Sequence, residues 1–161
     1  MAHHLAQLNV AKLKASLDHP SMAGFVAALD PVNALADDAP GFVWRLQTEA
    51  GDATAIRAFD DELMLVNMSV WESVEALGDY AYRSGHLDVM RRRREWVDRV
   101  TEAHLCLWWV EAGAIPTVEE AMERLEHFQM HGPTPRAFTF KRRFEPGLEA
   151  GRDDDRWLCP A

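Results

Sequence analysis

Apolar and polar residues alternate over several short stretches of the chain, which is the pattern of half-buried β-strands. In the first stretch, Ala6, Leu8 and Val10 occupy one side, and Gln7 and Asn9 occupy the other. The alternation predicts four strands, over residues 5–13, 42–47, 63–71 and 104–110, and a short final strand over residues 137–140.

Apolar residues spaced three and four apart predict helices between these strands. One helical segment begins at Pro20. A kink or restart is expected at Pro31, which lacks the N–H that would bond back to residue 27. Ser73 is a suitable N-cap for a helix after the third strand, which the Ser84-Gly85 pair would interrupt.

The two remaining helical segments have recognisable boundaries. One runs from His86 to about Val100 and is rich in arginine. The other runs from Thr117 to His131, where the Thr117 side chain would form a capping box with Glu120 and a Gly-Pro pair follows.

The elements follow the order β-α-β-β-α-β, with an added helix and strand. This order predicts an α+β, ferredoxin-like fold, in which an antiparallel sheet carries helices on one face. The other face then needs cover, and the fourth strand is apolar on both sides, so we expect a homodimer that packs sheet against sheet. The predicted domain covers residues 1–146, with a hairpin connection at 49–62. Residues 147–161 form an acidic tail that is predicted to be flexible.

The amino-acid composition indicates which classes of partner the protein is expected to bind. The chain has 161 residues and a formal net charge of −9, with 26 acidic and 17 basic side chains. A phosphate-binding surface would show the opposite balance, so nucleic acid is not expected. The sequence shows no membrane-spanning run, no secretory signal pattern and no cysteine spacing of a disulfide framework or metal site. We therefore expect a soluble, reduced, cytoplasmic protein.

The arginine-rich segment raises the question of a buried charge. Most of its charged residues would form ion pairs four apart on a solvated face. The expected pairs are Asp88–Arg92, Arg91–Glu95, Arg94–Asp98 and Glu95–Arg99. Helical geometry places Arg93 within the apolar stripe instead, near Met90 and Val97. Arg93 therefore pairs with a core carboxylate, reaches across the core to water, or binds an anion in a ligand pocket.

Polar residues recur on the odd-numbered side of the predicted strands, namely Gln7, Asn9, Arg45, Asn67 and Ser69. If they share one face of the sheet, that face either lines a wet cavity or forms a polar seam between subunits. The sequence leaves both interpretations open.

Histidine supplies two further hypotheses. His86, at the start of the arginine-rich segment, is either a satisfied core histidine or a functional one, since neutral imidazole binds haem iron or accepts a proton. Glu123, His127 and His131 recur four residues apart on the last helix. They lie opposite its apolar stripe and lack an HExxH arrangement, so a metal site is not expected there.

Six short motifs stand out along the chain. They are Leu5-Ala6-Gln7-Leu8-Asn9, Gly41-Phe42-Val43-Trp44-Arg45-Leu46, Asn67-Met68-Ser69-Val70-Trp71-Glu72-Ser73, Arg93-Arg94-Glu95-Trp96, Leu107-Trp108-Trp109 and His131-Gly132-Pro133-Thr134-Pro135. From about His4 to Phe144, the sequence resembles a bacterial domain family of unknown function in the dimeric α/β-barrel superfamily.

That superfamily includes cofactor-free antibiotic-biosynthesis monooxygenases, haem-degrading monooxygenases, other haem proteins, and lactone isomerases or polyketide cyclases. The haem-degrading branch is similar where a strand is followed by a helix with an aromatic residue, a serine and a histidine. Tyr80, Ser84 and His86 match, with Tyr80 where that branch has Trp and with a shorter spacing from Ser84 to His86. The resemblance implies His86 as proximal iron ligand, Asn9 as hydrogen-bonding partner of bound oxygen and Tyr80 as the aromatic that shapes the macrocycle.

Three alternative functions are consistent with these residues. The first is a small monooxygenase-like oxidoreductase, whose cavity holds haem or an aromatic substrate and whose axial ligand or base is His86. Met90 would then line the apolar wall, Ser69 and Asn9 would fix a distal oxygen ligand, and Arg93 would bind a propionate. The second is a cofactor-free isomerase or cyclase, in which His86 moves a proton and Arg93 stabilises an enolate-like anion. The third is a non-catalytic dimer that binds a small hydrophobic or aromatic molecule.

Overall fold

A computed structural model of the protein describes residues 2–47, 63–98 and 104–148. Its strands and helices are β1 (His3–Lys12), α1 (Ala23–Asp37), β2 (Phe42–Arg45), β3 (Met64–Trp71), α2 (Val74–Arg83), α3 (His86–Arg91), β4 (Leu105–Glu111) and α4 (Val118–His131). Short 3-10 turns precede α1 at Pro20–Met22 and follow α3 at Arg93–Glu95. The predicted hairpin connection lies outside the described residues, as does the predicted tail beyond residue 148.

The four strands form one antiparallel sheet in the order β2-β3-β1-β4. In the register of β1 and β3, Leu5 lies opposite Trp71 and Asn9 lies opposite Asn67, so odd-numbered side chains share one face. This order and the intervening helices confirm the α+β, ferredoxin-like fold. Each of the four strands begins and ends within two residues of its predicted bounds. Alternation locates strands well here because one sheet face is apolar along its whole length.

We call the two sides of the sheet the even face and the odd face, after the residue numbers of β1, β3 and β4. The even face is apolar and buried. Its side chains pack in one cluster with Ala121, Leu125 and Phe128 of α4, and Arg124 lies over the ring of Trp108 at 5.5 Å. The expectation of helices on one face is thus incomplete, because the apolar stripe of α4 packs on the face opposite α1, α2 and α3.

The odd face carries α1, α2 and α3. At one end, Leu5 and Trp71 pack with Leu77 of α2. At the other end, Leu13 packs with Trp96. Between these two clusters the odd face bears polar residues, and a cavity separates it from the helices.

The predicted helix ends are largely confirmed. The Ser73 hydroxyl accepts a hydrogen bond from the Ala76 amide at 3.0 Å, and the Thr117 hydroxyl accepts one from the Glu120 amide at 3.1 Å. These bonds satisfy amides that have no partner within the first turn of a helix. Of the kink or restart expected at Pro31, the restart is wrong, since α1 is one helix through that residue, and the kink stays a prediction. Proline removes one backbone hydrogen bond there, but α1 keeps its packing contacts on both sides of it.

The arginine-rich segment departs most from prediction. Its helix ends at Arg91, and after the 3-10 turn the chain becomes extended, where the Leu13 and Val97 backbones pair. The ion pairs are Arg91–Asp88 and Arg92–Glu95, each three residues apart. The predicted pairs Asp88–Arg92, Arg91–Glu95 and Arg94–Asp98 are therefore wrong, because the helix does not continue past Arg91. The fourth predicted pair, Glu95–Arg99, reaches outside the described residues.

Two smaller features complete the fold. The predicted final strand is reduced to two isolated bridges, one between Leu107 and Phe138 and one between Thr134 and Ala137. No helix within the described ranges is both long and apolar enough to cross a membrane.

Candidate functional site

The cavity on the odd face has a volume of about 220 Å³ and lies between the sheet and the helices α1, α2 and α3. All six site residues predicted from the sequence line it, namely Asn9, Ser69, Tyr80, His86, Met90 and Arg93. They come from two strands, two helices and the 3-10 turn, so the tertiary fold brings together residues that are far apart in sequence.

The polar face of the sheet lines a cavity, which decides one question that the sequence left open. Asn9, Arg45, Asn67 and Ser69 all line this cavity. Gln7 is buried beside them and lines a second cavity of about 260 Å³. The second cavity shares four of its lining residues with the first, namely Asn9, Asn67, His86 and Met90.

His86 is held in one orientation at the start of α3. Its Nδ1 lies 3.2 Å from the backbone carbonyl of Ala81, and its own backbone amide donates to the Ser84 hydroxyl at 3.1 Å. A carbonyl oxygen only accepts hydrogen bonds, so Nδ1 carries the proton in the neutral imidazole. Burial lowers the pKa of His86 below its usual 6.5, an effect that the Ala81 hydrogen bond partly opposes. The neutral ring therefore keeps a lone pair on Nε2 near neutral pH.

Aromatic rings support the imidazole from the α2 side. Tyr80 packs against His86 with ring centroids 4.8 Å apart, and Trp71 stacks on Tyr80 with ring centroids 5.0 Å apart. The Tyr80 hydroxyl donates to the Val32 carbonyl at 3.2 Å. Burial raises the pKa of Tyr80 to about 12, and the nearby charges of Arg45 and Asp37 act in opposite directions. Tyr80 is thus a neutral wall of the cavity and not a phenolate base.

Ser69 is the centre of a buried hydrogen-bond network. Its hydroxyl oxygen accepts hydrogen bonds from Gln7 Nε2 at 2.9 Å and from Trp71 Nε1 at 2.8 Å. Gln7 Nε2 also donates to Asn67 Oδ1 at 2.9 Å. The sequence predicted Ser69 and Asn67 on the polar face, but nothing in it indicated that Trp71 would bind Ser69.

The two arginines of the cavity differ in their partners. Arg45 forms a two-point ion pair with Asp37, with distances of 2.8 and 3.3 Å. Arg93 forms no ion pair with any residue that the structure describes, so the predicted core carboxylate is not found there. Sequence reasoning missed the role of Asp37, which lies at the end of α1 without any distinguishing pattern around it.

Haem requires both a ligand and room for a macrocycle. The Nε2 lone pair of His86 has the chemistry of an iron ligand. The cavity volume of about 220 Å³, however, is below the roughly 300–1,000 Å³ of pockets that hold drug-sized ligands, and a haem macrocycle is at least that large. This cavity by itself is therefore too small for haem, although the adjoining second cavity shares His86 and Met90 with it.

A pair of histidines lies on α4, outside the cavity. The rings of His127 and His131 lie 4.6 Å apart on α4, and His127 Nε2 is 3.1 Å from the Thr134 hydroxyl. The described parts of the chain contain no group of three or more side chains arranged to hold a metal ion.

Several solved structures are similar at low sequence identity. SnoaB from Streptomyces nogalater, a cofactor-independent oxygenase, is 19% identical with a TM-score of 0.49, over 73% of this chain and 98% of its own. A candidate antibiotic biosynthesis monooxygenase from Nitrosomonas europaea is 15% identical with a TM-score of 0.46, over 73% of this chain and 96% of its own. PA3566 from Pseudomonas aeruginosa is 13% identical with a TM-score of 0.42, over 71% of this chain and 98% of its own. No curated protein matches the chain significantly.

One family model matches residues 4–153, which is most of the chain and includes every residue of the cavity. The family is described as a domain of unknown function, DUF3291. The match spans all six motifs that carry the resemblance to a bacterial domain family of unknown function. The chain belongs to the DUF3291 family.

Proposed function

We propose that the protein is a small monooxygenase-like oxidoreductase, which acts without haem on a small aromatic molecule in the odd-face cavity. One observation carries the proposal: the neutral imidazole of His86 is fixed by Ala81 with a basic nitrogen available, in a cavity that also contains Arg93. Such a pair suits the removal of a proton from carbon or oxygen and the stabilisation of the anion that results.

The proton-transfer step derives from the chemistry of these side chains. Nε2 of His86 accepts the proton, and the lowered pKa keeps the imidazole in its basic form at neutral pH. The positive charge of Arg93 favours an anion in the same cavity. Asn9 supplies an amide that can donate a hydrogen bond to the anionic oxygen. Tyr80 and Met90 line the part of the cavity that would hold the aromatic ring of the substrate.

The anion then reacts with O₂, which is itself the oxidant. For a CH₂ group between an aromatic ring and a carbonyl, the carbon loses both hydrogens and gains one oxygen atom as a new carbonyl. The other oxygen atom leaves as water, so the four electrons lost by carbon reduce one O₂ molecule. His86 returns its proton to the departing oxygen, which closes the cycle.

The cofactor-free isomerase or cyclase shares the first of these steps, since it also needs a base and a stabilised anion. It differs in the second step, because the proton returns to the substrate and no oxygen is consumed. A non-catalytic binding protein would need neither step.

A probe with one acidic CH₂ separates these functions. 2-Tetralone carries such a group between its ring and its carbonyl, and calorimetry first establishes that it binds. Nuclear magnetic resonance in D₂O without oxygen then measures deuterium entry at that carbon, and an oxygen electrode measures O₂ uptake in air. Both rates are corrected for the reaction without protein. We expect protein-dependent exchange and uptake, both lost in His86→Gln and retained in His131→Gln, which removes a histidine outside the cavity.

The outcomes are distinct. Exchange without O₂ uptake would favour the isomerase or cyclase. Binding with neither exchange nor uptake would contradict the proposal and favour the binding protein.

A further inference from the structure

The odd-face cavity has an unusual charge balance for this protein. The chain as a whole is acidic, with a net charge of −9. Yet the described residues that line the cavity include two arginines and no aspartate or glutamate. Charged groups of one sign in a concave site attract ligands of the opposite sign.

Only one of these two arginines forms an ion pair with a described residue of the protein. The carboxylate of Asp37 is paired with Arg45 at two points, so that charge is balanced within the protein. Arg93 is half-buried and has no carboxylate partner among the residues of the described ranges. A guanidinium withdrawn from water without a counter-ion is costly, and a bound anion would offset that cost.

The hydrogen bonds of Ser69 determine which kind of ligand atom can bind next to it. A serine hydroxyl has one hydrogen to donate and two lone pairs to accept with. Gln7 and Trp71 already occupy both lone pairs. The hydroxyl hydrogen of Ser69 is therefore available only as a donor, and Ser69 lines the cavity. A ligand oxygen that accepts this hydrogen bond would satisfy it.

We infer that the ligand of the cavity is an aromatic carboxylate, whose charge pairs with Arg93 before any reaction begins and which offers an oxygen lone pair to the Ser69 hydroxyl. The inference rests on the proposed function for its site and names the class of substrate. Guanidinium and carboxylate match in a planar, two-point geometry, so one unpaired arginine suits one carboxylate. The aromatic body suits the apolar remainder of the lining, which includes Phe25, Leu29 and Val89.

The test compares two ligands of the same shape, one with a charged carboxylate and one with a neutral amide in its place. 2-Naphthoate and its neutral analogue 2-naphthamide are titrated by calorimetry into the full chain at low ionic strength. A charge-assisted pair at a half-buried site favours the anion by about tenfold or more in Kd. Arg93→Met should abolish this preference, whereas Arg94→Met, which removes a neighbouring exposed arginine, should retain it. Ser69→Ala should raise the Kd of both ligands by a similar factor, because each carries an oxygen that can accept the Ser69 hydrogen bond.

A variant that fills the cavity tests whether 2-naphthoate binds there. Ala28 lines the cavity from α1, so Ala28→Phe should reduce naphthoate binding while the unfolding transition stays cooperative. Equal affinity for the two ligands, a preference that survives Arg93→Met, or full binding by Ala28→Phe would each overturn the inference. Deuterium exchange into 2-tetralone is measured separately, so the inference and the proposed function can fail independently.

Discussion

His86 is a titratable group that the folded protein holds in its neutral form. Burial lowers its pKa below 6.5, the value expected in the unfolded chain. When the pH falls below 6.5, the unfolded chain gains a proton at this residue before the folded protein does. The free energy of unfolding therefore decreases as the pH falls through 6.5 toward the folded pKa, and no such loss occurs above 6.5.

This sign gives a prediction for His86→Gln. Thermal unfolding of the wild type and the variant should be compared from pH 7.5 to pH 5. We expect the variant to lose less stability than the wild type across that range, because glutamine does not titrate. His131→Gln controls for the removal of one imidazole. Identical pH dependence in the wild type and His86→Gln would contradict the assignment of His86 as a partly buried neutral base.

At the scale of elements, α2 and α3 position the site, and α2 packs closely against the turn at Gly41. Gly41, between α1 and β2, has a φ of 83°, and a Cβ there would lie 2.5 Å from the Cβ of Ala76 on α2. Its carbonyl accepts a hydrogen bond from the Glu72 amide at 2.8 Å. The absence of a side chain at Gly41 therefore lets α2 pack against this turn.

Gly41→Ala should thus destabilise the protein for two reasons, and Gly113→Ala isolates one of them. Gly113 has a φ of 92°, and a Cβ there would meet no atom within 4 Å, so alanine adds only backbone strain of about 1–2 kcal/mol. Gly41→Ala adds a clash with α2, worth roughly 1–3 kcal/mol more. Urea denaturation measures both variants. Equal losses would show that α2 yields to the added methyl group.

At the scale of the whole molecule, the homodimer expected from the sequence stays a prediction. α4 covers part of the even face, so the partly buried apolar side chains of its β2 side would form the contact, namely Val43, Trp44, Leu46 and Met64. Sedimentation at micromolar concentration should give a dimer for the wild type and a monomer for Trp44→Lys. Val26→Lys, on an exposed site of α1, should stay dimeric. A monomeric wild type would contradict this prediction.

The sequence by itself determined the strands, the fold class and the set of polar residues on the odd face. It could do so because alternation has a period of two and the even face is buried along β1, β3 and β4, so the face of each side chain in these strands follows from its number. Asn9 and Ser69 were found as site residues in this way. Ser73 and Thr117 were found because capping is a local interaction within a few residues.

The tertiary structure decided what local patterns do not contain. The helix predicted from His86 to Val100 ends at Arg91, because the backbone at Leu13 offers residue 97 a pairing partner that helical spacing cannot reveal. The choice between cavity and subunit seam depended on where α1 and α3 lie above the odd face. The different states of Arg45 and Arg93 depended on Asp37, eight residues before Arg45 in sequence and within hydrogen-bonding distance only after folding. Charge balance in a cavity is a property of three-dimensional neighbours, and it cannot be predicted from a residue's own spacing.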